Sequence, residues 1–216
     1  MTNKYVNFIS DEHLLNCIEN LHKSYLKAKN NVSKKSFYTN KVDTIKLTFD
    51  AKFNDINEDD LIQSEILRQI DKSINNSIGT FHEQILGGIK GYEIGNLSGF
   101  DIKANDDSLF AVFGSSDLSK NISDSVFEKL ANSARTYVNA KFYYVQLDDV
   151  SETNEKWIIG HEEYSVSQKR VFKVFLKEFY ALLAKQENAL FQLFEILSNV
   201  ITEYLKSVNF EKTINS

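Results

Sequence analysis

Residues 92–113 read YEIGNLSGFDIKANDDSLFAVF. Three short apolar segments, Tyr92–Ile94, Gly99–Lys103 and Leu109–Phe113, are separated by turn formers, most plainly Asn105-Asp106-Asp107. Asn and Asp tolerate left-handed backbone and bond to their own main chain, so such a cluster between β-rich runs marks a tight connection. The stretch predicts three consecutive strands, in the simplest form an antiparallel meander.

Both sides of the meander read as helix. Upstream, Ile78, Phe81, Ile85 and Ile89 recur at helical spacing over about 76–89, and Gly87-Gly88 marks the end. Downstream, Val126, Leu130, Ala134 and Tyr137 repeat the pattern. They lead into Lys141–Leu147, whose centre, Phe142-Tyr143-Tyr144-Val145, is the short continuous run of a buried strand. The order is helix, three strands, helix, strand. It predicts an α+β protein with the α-β-β-β-α-β core of the metal-dependent PD-(D/E)xK nuclease fold, flanked by N- and C-terminal helices.

Further out, Ser10 followed by Asp11 and Glu12 predicts a helix start, with Leu14, Ile18, Leu21 and Tyr25 on one face. Ile45-Lys46-Leu47-Thr48-Phe49 alternates and predicts a short strand. Asn57 caps a second helix that carries Leu61, Ile62, Ile66, Leu67 and Ile70. Trp157–Ile159 and Val171–Phe175 suggest more strands, and Leu193, Leu197, Val200 and Ile201 a terminal helix. No repeat or Pro/Gly linker divides the chain. It reads as one domain over 1–216: a helical and basic region (1–75), the core (76–147), then added strands and terminal helices (148–216).

Composition narrows the class. The chain has 216 residues, 42% of them hydrophobic, with 16 Phe and 10 Tyr, enough to bury a core and to exclude disorder. No apolar run is long enough for a spanning helix or a secretory leader, so the chain reads as soluble and cytoplasmic. A single cysteine, Cys17, excludes a disulfide framework and a cysteine-based zinc site. Proline is absent, and 22 lysines stand against three arginines.

The net charge of -5 argues against indiscriminate coating of nucleic acid, but the charge is uneven. Lys23 to Lys52 holds eight lysines against Asp43 and Asp50, while Asp148 to Glu163 holds six acids against Lys156. Lysines release counterions when they meet phosphates, so Lys34, Lys35, Lys41, Lys46 and Lys52 are the candidate DNA-binding residues.

A nuclease of the predicted fold gathers carboxylates on adjacent elements, because Mg²⁺ takes oxygen ligands in near-octahedral geometry. A lysine beside them stabilises the charge that develops on the phosphate. Asp101 sits where the first acid belongs, near the second strand, and Glu83 on the preceding helix supplies a second carboxylate. These two are the candidate catalytic and metal-binding residues. His82 reads as an ordinary helix histidine, since no second His or Cys lies at ligand spacing.

Several stretches in order along the chain are similar to the type II restriction endonucleases of the Eco-forty-seven-II and SinI kind. They are FISDE (8–12), IKLTFDAK (45–52), SEILRQIDKS (64–73), IGTFH (78–82), GFD (99–101), FYALL (179–183) and ENA (187–189). The resemblance implies a homodimer that makes Mg²⁺-dependent double-strand cuts at a short palindrome of the GGNCC type in double-stranded DNA. It also implies an E-x-K motif on the third strand. Residues 110–117 read FAVFGSSD instead, which sets Val112 at the glutamate position and Gly114 at the lysine position. Asp117 and Lys120 are the nearest polar substitutes. The expectation is therefore an impaired restriction endonuclease. The alternative is a catalytically inactive DNA-binding relative, or a redesigned nuclease scaffold.

Overall fold

The computed structural model describes residues 3–31, 44–95, 99–115, 120–147 and 168–214. The chain forms two compact units, residues 18–81 and residues 1–17 with 82–216. Two helices run from one unit into the other: α1 (Asp11–Asn31) and α3 (Glu58–Gly87).

α1 starts as its sequence predicts. The Ser10 hydroxyl accepts the His13 N–H at 3.2 Å, which satisfies one of the orphan amides of the first turn. Asp11 turns backwards and accepts the amides of Lys4 and Tyr5, fastening the segment before the helix. In the 18–81 unit, Asn57 caps α3, its Oδ1 accepting the Asp60 amide at 2.9 Å.

Two expectations fail in that unit. Ile45–Phe49 is not a strand; it belongs to helix α2 (Thr44–Phe53). Five alternating residues are too few to set a period, and the partners that decide lie four apart. Lys46 pairs with Asp50, and the Phe49 and Phe53 rings meet with centroids 5.3 Å apart. Asp55, at φ 52°, turns the chain after the helix. The two helices predicted over 57–70 and 76–89 are likewise one helix of 30 residues. The polar stretch around Asn75 and Ser77 contains neither Gly nor Pro. Its side chains bond back one turn, Asn75 to Asp71 and Ser77 to the Ser73 carbonyl.

The other unit is built on a five-stranded mixed sheet in the order β1-β2-β3-β4-β5. The strands are β1 (Tyr92–Ile94), β2 (Ile102–Ala104), β3 (Leu109–Gly114), β4 (Lys141–Gln146) and β5 (Val171–Phe175). β1, β2 and β3 form the antiparallel meander, with Ile94 opposite Ile102 and Ile102 opposite Ala111. β3, β4 and β5 run parallel, with Val112 beside Tyr144 and Phe142 beside Val171. The crossover from β3 to β4 carries helix α4 (Lys120–Thr136), as a parallel connection requires. β2 begins three residues later than the Gly99–Lys103 segment suggests, because Gly99 takes a positive φ of 74° and bends the chain first.

α4 closes one face of the sheet, its Phe127 and Leu130 sharing a cluster with Phe100, Phe110, Phe142 and Tyr144. The other face takes α5 (Leu176–Ala184), whose Phe179 meets Phe113 and Tyr143 edge-on or tilted at 5.8 and 5.6 Å. α6 (Ala189–Ile214) packs against α5 and buries Ala189, Leu193 and Val200. The Trp157–Ile159 segment lies outside the described residues. Among the described residues no helix is long and apolar enough to cross a membrane.

Candidate functional site

β2 is preceded by Asp101, and hydrogen bonds fix how it sits. Its amide donates to the Ala111 carbonyl at 2.9 Å, and its Oδ2 accepts the Phe113 amide at 2.7 Å. A side-chain oxygen thus takes the place of a backbone carbonyl in the β2–β3 ladder. The bonds to residues 111 and 113 bracket Val112, so the carboxylate stands alongside that residue. On the other side, the Asp101 carbonyl accepts the Gly95 amide at 2.9 Å, just beyond β1.

Glu83 comes from the last turn but one of α3, half-buried. Burial pushes its carboxyl up to about 7, and the negative charge of Asp101 adds to the shift. The two acids lie 18 positions apart in the chain and feel one another through space. Mutual repulsion between two carboxylates on adjacent elements is relieved by a cation or a proton. Mg²⁺ is commonly held by one or two carboxylates with water and phosphate oxygens completing the shell, so the pair fits such an ion. Among the described residues no group of three His, Cys, Asp or Glu side chains gathers.

β3 supplies no charge to this pair. Val112 is packed against the α4-facing cluster. Gly114 lies under Tyr144: a β-carbon there would fall 2.2 Å from the phenol oxygen and 2.8 and 2.9 Å from two ring carbons. Tyr144 is almost fully buried and its hydroxyl donates to the Ser115 carbonyl at 2.7 Å, so the ring is held over the glycine. Asp117 lies outside the described residues, and Lys120 is the first residue of α4.

Of the candidate DNA-binding lysines, Lys46 and Lys52 are exposed on α2, in the 18–81 unit, and Lys46 is engaged by Asp50. Lys34, Lys35 and Lys41 lie outside the described residues.

The surroundings of three further side chains in this unit carry no signal in the sequence. Lys129 on α4 donates to the Gly99 carbonyl at 2.8 Å and lies 5.5 Å from the Phe100 ring centroid. His82 Nδ1 lies 3.0 Å from the hydroxyl of the fully buried Tyr180 on α5, and burial lowers its pKa to about 4, which keeps it neutral. Cys17 is buried with His13 Nε2 at 3.4 Å, and desolvation drives its thiol up to about 12, an inert value. The Lys129 and His82 contacts join elements far apart in the chain, 30 and 98 positions respectively, whereas Cys17 and His13 lie one turn apart on α1.

A mixed five-stranded sheet with an acid at the β2–β3 ladder and a second on the preceding helix is consistent with a restriction-endonuclease-like fold. Comparison with known proteins is more specific. The Eco47II restriction endonuclease family matches residues 6–206. The chain is 32% identical to the type II restriction enzyme Sau96I of Staphylococcus aureus, over 98% of this chain and 85% of that enzyme. It is 36% identical to the type II restriction enzyme Eco47II of Escherichia coli over 92 residues, 43% of this chain and 38% of that enzyme. The chain belongs to the Eco47II restriction endonuclease family.

Proposed function

We propose that this protein acts in the cytoplasm as a homodimer that binds a short palindrome of the GGNCC type in double-stranded DNA, and that its Mg²⁺-dependent cleavage is severely impaired. α3, β1–β3, α4 and β4 are the α-β-β-β-α-β core of a PD-(D/E)xK nuclease in this reading. The observation that carries it is the content of β3: beside Asp101, Val112 is committed to the hydrophobic cluster and Gly114 is roofed by Tyr144.

Glu83 and Asp101 are the residues that would hold the metal. Bound there, the ion would polarise the scissile phosphate and acidify a water for attack. The chain's own groups set the terms of binding. The Phe113 amide orients Asp101 and leaves its other oxygen for a ligand. Glu83, at about 7, gives up its proton to admit a cation, so binding weakens as pH falls below neutrality. No lysine from β3 stabilises charge on the attacked phosphate. Lys46 and Lys52, with Lys34, Lys35 and Lys41, are the proposed phosphate contacts, and a two-fold dimer matches a palindrome half-site by half-site.

The test measures binding and cutting separately. Fluorescence anisotropy with a GGNCC duplex and a scrambled duplex should give a preference of at least ~10³-fold. Plasmid cleavage in Mg²⁺ should run at least ~100-fold slower than that of Sau96I. Equal affinity for both duplexes would overturn the recognition half of the reading, and rapid cutting at low enzyme concentration would overturn the impairment.

A further inference from the structure

The bend that leads into Asp101 is held from α4. Gly99, two residues before the acid, takes φ 74°, and its carbonyl accepts the Lys129 ammonium at 2.8 Å. The buried Phe100 ring has its centroid 5.5 Å from the same nitrogen and helps to fix where the amine stands. Consecutive Cα atoms are about 3.8 Å apart, so those of Gly99 and Asp101 lie within about 7.6 Å of one another. The charge of Lys129 is not neutralised there. An ammonium is a triple donor, and a carbonyl takes one N–H without cancelling the charge. Lys103 on β2 shows the alternative: Glu93 and Asp107 hold it at 2.9 and 3.4 Å. Among the described residues no carboxylate pairs with Lys129. The space over the bend is open as well. Around the point where Gly99 would carry a β-carbon, the Lys129 nitrogen, at 3.9 Å, is the one atom of the described residues within 4 Å, the glycine and its chain neighbours aside.

We propose that Lys129 is a phosphate-contacting residue: its ammonium takes a non-bridging oxygen of the DNA phosphate that approaches Glu83 and Asp101, so that α4 supplies the cation β3 lacks. Charge balance is the reason. Two ionised carboxylates repel a phosphodiester, and a divalent ion between them only cancels their charge, leaving nothing to offset that of the phosphate. One further positive charge beside the acids closes the balance, and Lys129 is anchored two residues from Asp101 with donors to spare. The amine is also held before any phosphate arrives, by the Gly99 carbonyl on one side and the Phe100 ring on another, so little ordering of a long side chain is left to do. Exchange of a neutral carbonyl for an anionic oxygen strengthens the bond that the ammonium makes. The inference deepens the DNA reading above and rests on it.

The experiment uses the full chain, with Ca²⁺ in place of Mg²⁺ so that the duplex stays whole. Fluorescence anisotropy with a GGNCC duplex over a salt series gives the slope of log affinity against log salt. In Lys129→Gln that slope should fall by about one, with affinity down roughly tenfold at low salt. Lys129→Arg should keep the slope, because the charge is retained. Lys103→Gln should leave it unchanged, since Glu93 and Asp107 already engage that charge. Circular dichroism checks the folding of each variant. Single methylphosphonate substitutions, stepped through the duplex, then locate the contact: one position that weakens the wild type should lose its effect in Lys129→Gln. A slope that Lys129→Gln leaves intact, or a scan in which no position is relieved, would overturn this assignment alone. A slope lost in the glutamine and the arginine variants alike would make Lys129 a support for the bend and overturn it too. A wild-type chain that binds no duplex would overturn the DNA reading, and this inference with it.

Discussion

The two strands of the β2–β3 ladder hold opposite solutions to the same position in space. On the β2 side a carboxylate is fastened by a backbone amide and set against a second one, Glu83, which burial, with the charge of Asp101 added, raises to about 7. On the β3 side the neighbouring residues are an aliphatic side chain in the core and a glycine beneath a buried tyrosine. The first costs free energy that a bound cation or proton must offset. The second contributes packing. One ladder therefore carries a charged pair on one strand and core packing on the next.

The largest effect should come from rebuilding the β3 side. Val112→Glu with Gly114→Lys is expected to stay inactive, because the lysine β-carbon would overlap the Tyr144 hydroxyl. Adding Tyr144→Leu, which removes the three obstructing atoms and keeps the inner part of the side chain, should raise single-turnover cleavage of a GGNCC duplex in Mg²⁺ by ~100-fold over the parent. A double variant that cuts as fast as the triple would acquit Tyr144 of any obstruction.

The contrast sharpens as a stability difference at Gly114 alone. Gly114→Ala should lose about 1–3 kcal/mol in urea unfolding, since a buried, hydrogen-bonded ring must move. In a Tyr144→Leu background the same substitution should cost much less. Equal losses in both backgrounds would mean the two residues are not coupled.

The smallest effect lies on the β2 side. Glu83 binds a proton up to about pH 7 in the folded chain, whereas an unfolded glutamate releases it near 4.5. Its contribution is unaffected below the unfolded value and turns unfavourable as pH rises from there through 7. Glu83→Gln should remove that slope, giving about 1–2 kcal/mol of added stability at pH 8 and none at pH 4, after allowance for partial solvent access. Parallel stability-pH curves for the two proteins would show that Glu83 titrates normally.

Strand positions in the core were legible because turn chemistry is local. Asn105-Asp106-Asp107 announces the β2–β3 turn, where Asp107 takes φ 55° and Asp106 accepts the Ser108 amide. α2 is a helix against its five-residue alternation because the i,i+4 pairs Lys46–Asp50 and Phe49–Phe53, which also lie in the sequence, outweigh it. α3 is a single helix where two apolar runs predict two, because the polar stretch between them keeps helical hydrogen bonding. At the candidate site, the identity of residues 112 and 114 was visible, but what surrounds them was not. Tyr144 reaches Gly114 across a parallel ladder from 30 positions away, and the influence of Asp101 on Glu83 likewise passes through space. Local patterning carries elements, and only the assembled sheet carries these pairings.

The bond from the Phe113 amide to Asp101 has a consequence for how such a chain changes under mutation. Replacing Asp101 by an apolar residue orphans a ladder amide, a loss of about 1–3 kcal/mol that is independent of whether any DNA is cut. Purifying selection for folding alone is enough to retain the acid, or an asparagine in its place. Val112 and Gly114 are under no such obligation to be charged, because their present partners are hydrocarbon and a phenol. Under selection for folding alone, positions 112 and 114 stay uncharged without penalty, while position 101 keeps a hydrogen-bond acceptor for the backbone it serves.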